Sequence, residues 1–194
     1  MVARTAPLAE LLADLARALG GLDLRWYLFG AQAAILHGAT RLTADVDVTV
    51  ALAGRSVGEL VAAAGATGFD ARFDDVVAFA DSTSVLPLVH RATRIPVDLI
   101  LAGQGLEERF LSRAEVHEIG GAQVTVAAPE DLVAMKLLAG RAKDLDDAAA
   151  MLRTRGAALR REIVLETLLA LEQALDRADL VSTYERLLAA VQSP

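Results

Sequence analysis

The sequence predicts an α+β fold, with strands and helices intermixed up to Ala127 and a helical bundle from Ala128 onward. Two observations carry this. The runs RWYLF, ADVDVTVAL and RIPVDLIL have the composition or alternation of strands and are separated by segments with apolar residues at helical spacing. Beyond Ala128 only the helical spacing persists. Hydrophobic residues make up 54% of the 194 positions and charged residues 23%, which supplies a core without any low-complexity tract. That length fits one domain with an appendage or two small domains, divided here as 1–127 and 128–194.

Each element has a local reason. Thr5 is placed to cap a first helix with Pro7 in its opening turn; Leu8, Leu11, Leu12, Leu15 and Leu19 then share one face, and Gly20-Gly21 ends it. Arg25 to Phe29 reads as a short strand. Gly30 breaks it, and AQAAILHG reads as a short helix ending at Gly38. ADVDVTVAL is the next strand, followed by an amphipathic helix from Ser56 to Ala64. Val76 to Ala80 and Ser84 to His90 are strand candidates, and Arg94 to Leu101 is a further strand. VHEIGGAQVTVAA reads as a hairpin turning at Gly120-Gly121. Pro129, Glu130 and Asp131 open a helix; Asp144 is placed to cap another that runs through Leu152. Two helices follow, at about 161–177 and 178–191.

Several function classes are excluded or disfavoured. There is no cysteine, so neither disulfides nor thiolate metal sites exist, which fits a cytoplasmic protein. The uncharged run from Trp26 to Thr40 is too short to span a bilayer, and no secretory signal is visible, so no membrane partner is expected. A net charge of −7 argues against coating nucleic acid non-specifically, though not against an RNA held by a local basic patch.

The chemistry concentrates in ADVDVTV. Side chains alternate along a strand, so Asp45, Asp47 and Thr49 share one face and Val46, Val48 and Val50 the other. Two carboxylates about 7 Å apart on one face repel, and burial raises that cost unless a cation sits with them. Asp98, inside the apolar run PVDLIL, needs a partner for the same reason. A lone D-x-D on an alternating strand is more often a solvated face; the conjunction with Gly30 and Asp98 favours a site.

The order of a hydrophobic strand, a Gly turn, a short helix, D-x-D and a later strand Asp resembles the nucleotidyltransferase fold shared with DNA polymerase β. A tighter likeness is to the AbiEii-type abortive-infection nucleotidyltransferases, toxins of toxin–antitoxin pairs, carried by GAQAAILHGATRLTADVDV and DLVAMKLLAGRAKDLDD. The resemblance implies a mixed-sheet core and a Mg²⁺-dependent transfer of NMP from an NTP to an acceptor hydroxyl, on RNA or tRNA, with an antitoxin partner. It makes Asp45, Asp47 and Asp98 the catalytic and metal-binding acids, with room for two ions. Such an arrangement suits a reaction in which the protein mainly positions phosphates and neutralises charge. It also implies nucleotide contacts at Gly30, Ala31, Arg41, Thr43, Lys136, Lys143 and Asp144. Some have a plainer alternative: Lys136 as a snorkelling lysine, Asp144 as a cap, Arg41 as an ion-pair partner and Gly30 as turn chemistry; His37, which matches the family's H-G, reads as a helix end. Ala31 stands where the family has Gly or Ser, which removes a hydroxyl that binds phosphate. That departure keeps open a non-catalytic nucleotide- or partner-binding module; a small-molecule (aminoglycoside-type) nucleotidyltransferase also stays open, because the resemblance implies the same acid triad in that branch. Arg153, Arg155, Arg160 and Arg161 are the candidate basic patch for RNA, or a solvated helix face.

Overall fold

The computed structural model describes residues 6–40 and 43–192; Thr5 and Arg41 lie outside them. In chain order the elements are α1 (Pro7–Gly21), β1 (Arg25–Phe29), α2 (Gly30–Leu36), β2 (Val46–Ala51), α3 (Val57–Ala66), β3 (Phe69–Ala71), α4 (Val76–Thr83), β4 (Val85–His90) and β5 (Pro96–Leu101). Then come α5 (Leu106–Arg113), β6 (Glu115–Ile119), β7 (Ala122–Val126), α6 (Pro129–Ala139), α7 (Ala142–Arg155), α8 (Arg161–Leu175) and α9 (Leu180–Gln192). Two units emerge: the described residues up to Phe29 with Ala44–Ala127, and Gly30–Thr43 with the chain from Ala128. Residues 30–40 thus group with the helices, although in sequence they lie among the strands.

The first unit is built on a seven-stranded sheet in the order β3-β4-β5-β2-β1-β7-β6. It is mixed: β2 runs parallel to β5 and β1 parallel to β7, whereas the other neighbours are antiparallel. Leu11, Leu12, Leu15 and Leu19, the predicted stripe of α1, are all fully buried, and α1 packs on α3 and β7. Burying each such leucine contributes about 1.5–3 kcal/mol. His90, also fully buried, ties α1 to β4 through Nε2 to Asp14 (3.0 Å), while its Nδ1 meets Thr93 (2.9 Å). Ser56 caps α3 in a reciprocal box with Glu59: each residue's backbone N–H reaches the other's side-chain oxygen, at 3.2 and 2.9 Å.

Two local expectations are corrected. Val76–Ala80 is the start of helix α4, not a strand; Val76 and Ala80, four apart, are buried, while Val77 and Phe79 are exposed. Helical spacing there outweighs β-branched propensity. Asp144 is not a cap: the cap position of α7 is Arg141, and no side chain bonds the helix end there. The first helix starts after Ala6. The charge-rich α5 and the three-residue β3 are additional elements.

In the second unit α6 packs against α2, α7, α8 and α9. Being covered by four helices, it is buried on most of its circumference, including the charged residues Glu130, Asp131 and Lys136. Such charges persist in a core only when paired. Glu130 accepts from the backbone N–H of Arg160 (3.1 Å) and from its guanidinium (3.0 and 3.3 Å), joining α6 to α8.

Candidate functional site

The register places the acids. Asp47 on β2 is directly opposite Asp98 on β5, and on its other side opposite Phe29 on β1. Opposed residues in a sheet share a face, with strands about 4.8 Å apart, so the two carboxylates are neighbours on one surface. Asp45 stands two residues before Asp47, exposed and just outside the strand; Asp47 is half-buried. The opposite face carries Val46, Val48 and Val50, all fully buried. The predicted alternation holds at Asp45 and Asp47, whereas Thr49, two residues on, is buried like the valines.

The same row continues across the sheet. Pro87 on β4 opposes Asp98, and the Arg72 backbone N–H donates to Pro87 O (3.2 Å), just past β3. Arg72 thereby sits two strands from Asp98, and its guanidinium reaches over the short proline to ion-pair with the Asp98 carboxylate. Their side chains are 39% and 30% exposed, so water competes for the pair. Among the described residues no three carboxylates or histidines are disposed to hold a metal ion. Asp98 thus lies beside Asp47 in register, with its carboxylate ion-paired to Arg72. The donor chemistry still suits Mg²⁺, which needs one or two carboxylates plus substrate phosphates. Arg72 carried no sequence signal, because ARFDD reads as polar loop and β3 is too short to show a period.

In the helical unit Gly30 opens α2 with φ at 68°, a left-handed conformation that favours glycine. Ala31 is buried, so its methyl faces packing and only its backbone is available for anything else. Thr43 is half-buried and Lys143 exposed; Arg41 lies outside the described residues. Lys136 is neither snorkelling nor extended to solvent. It is buried, and its Nζ donates to Asp144 (3.1 Å) and Asp147 (2.7 Å) on α7. Arg141 adds two further hydrogen bonds to Asp144. Burial opposes the Asp144 charge, but the bonds from Arg141 and Lys136 outweigh it and hold the carboxyl below its ordinary range. Asp144 thus joins helices, a role the sequence did not reveal. The His-Gly step has a packing reason as well. His37 is buried and its Nδ1 accepts from Arg155; a Cβ on Gly38 would meet the Thr154 side chain at 2.5–2.6 Å.

Comparison with known proteins bears on this arrangement. The solved antibiotic-resistance factor ANT(2'')-Ia is 16% identical at a TM-score of 0.57, over 87% of this chain and 93% of its own. Its complex with adenylyl-2''-tobramycin gives 17% and 0.58, over 88% and 99%. An antigenic nucleotidyltransferase-like protein from Paracoccidioides brasiliensis is 20% identical at 0.56, over 92% of each chain. At these identities the likeness is one of fold. No curated protein matches. The family described as "Nucleotidyl transferase AbiEii toxin, Type IV TA system" matches residues 11–192, and the chain belongs to that family of nucleotidyltransferases.

Proposed function

We propose that this protein transfers NMP from an NTP to a hydroxyl of RNA, as the toxin of a pair whose antitoxin is a separate protein. The observation that carries the reading is the in-register Asp47–Asp98 neighbourhood with Asp45 two residues away, on a face backed by a valine core. In the reaction the acceptor oxygen bonds to the α-phosphorus, the bond to the bridging oxygen breaks, and pyrophosphate leaves. Asp45 and Asp47 would hold Mg²⁺, which supplies neutralisation of the triphosphate charge. Asp98 supports the same face as the third carboxylate and accepts the proton of the attacking hydroxyl once Arg72 has left it. Toxin-family membership favours a macromolecular acceptor in the cell.

Incubation with α-labelled NTPs, Mg²⁺ and total RNA tests this. Label is expected on RNA and is expected to fall at least about a hundredfold in Asp47→Asn, as for removal of a charge that acts only on the reacting phosphates. Label on an aminoglycoside but never on RNA would replace the acceptor and keep the chemistry. Release of inorganic phosphate without a labelled product would overturn the transfer itself.

A further inference from the structure

We infer that Arg72 is a transferable counter-ion of the carboxylate face: it neutralises Asp98 in the resting protein and moves to the phosphates of the incoming nucleotide. This rests on the proposed nucleotide site. The placement comes from the register, in which Arg72, Pro87, Asp98 and Asp47 follow one another across β3 to β2 in a single row. Proline at the intervening position matters. A long side chain there would stand between the guanidinium and Asp98, whereas the pyrrolidine ring is short and leaves the path open. The arm of Arg72 is anchored at its backbone by the bond to Pro87 O, so only the side chain has to move.

The energetics fit a hand-over. Two neighbouring aspartates repel, and a guanidinium on one of them relieves that repulsion when nothing else is bound. The ion pair is partly solvated on both sides, so little is lost when it opens. A triphosphate offers the same planar fork a bidentate acceptor of higher charge. Released from Arg72, Asp98 becomes available beside Asp47 at the moment phosphates arrive. The resting protein is thereby kept from collecting a divalent cation before its nucleotide.

Two affinities of opposite sign test the inference. Mn²⁺ alone, followed by loss of its free paramagnetic signal, is expected to bind Arg72→Ala about two- to fivefold more tightly than wild type. Mg²⁺–tripolyphosphate, a base-independent stand-in for the phosphate chain, is expected to bind the variant about tenfold or more weakly. Arg72→Ala keeps the backbone N–H to Pro87 and alters only a partly exposed side chain, so an unchanged thermal melt is expected. Movement of both affinities in the same direction, or of neither, overturns the hand-over. If Asp47→Asn still abolishes Mn²⁺ binding in that case, the nucleotide site survives without it. If Asp47→Asn binds Mn²⁺ as wild type does, the site itself fails and the inference with it.

Discussion

Lys136 shows how much a single side chain commits. With its side chain 6% exposed and Asp144 and Asp147 at 1% and 4%, it is a cation held by two carboxylates with almost no water. Two of its three N–H donors are spent there. Removing it leaves two buried acids partly uncompensated, a change that typically costs about 3–5 kcal/mol. Lys136→Met is therefore expected to lower the urea midpoint strongly, and Asp147→Asn less so because the lysine keeps Asp144. If Lys136 served chiefly as a phosphate contact, the methionine variant would keep its midpoint and lose only nucleotide affinity. Arg72 is the opposite case, a cation that costs little to remove because solvent already reaches it.

Between elements, the helices of the second unit are joined by carboxylates whose ionisation is favoured by folding. Burial works against the Glu130 charge, but hydrogen bonds from the Arg160 side chain and backbone prevail and hold its carboxyl below the usual range; Asp144 is shifted in the same direction. A carboxyl depressed in the folded state binds fewer protons there than when unfolded. It contributes stability above its unfolded value, and that stability is lost as pH falls through the folded one. Helical signal followed by circular dichroism in urea should thus weaken below about pH 4, and Glu130→Gln should flatten that dependence. A variant as acid-sensitive as wild type would place the coupling elsewhere. These joints were not legible beforehand, because a chain reading of Asp144 sees only a helix start and cannot see Lys136 one helix away. Strand β1 and the hairpin β6–β7, by contrast, were legible to the residue or nearly so, their period and turn chemistry being local. Helix α4 was misread because VVAF fits both periods, and α5 was missed because LEERFLSR buries only Phe110 fully.

Across the whole molecule, charge bears on the acceptor. Of the four arginines predicted as a basic patch, Arg153, Arg160 and Arg161 are exposed, Arg155 is engaged with His37, and Arg160 is also engaged with Glu130. At a net charge of −7, the RNA acceptor proposed above is expected to make few phosphate contacts, so that its recognition would rest on shape. The order of the acids along the chain was readable because D-x-D and PVDLIL are local patterns. The register that sets Asp47 beside Asp98 is a property of the assembled sheet, as is the reach of Arg72. The central claim, that Asp45 and Asp47 hold the metal-bound nucleotide, is tested most directly by thermal unfolding with and without saturating Mg²⁺ and NTP. Wild type is expected to melt several degrees higher with both present, as binding to the folded state requires, and the Asp45→Asn, Asp47→Asn double variant not to respond. An equal rise in the two proteins, or none in wild type, would contradict the account.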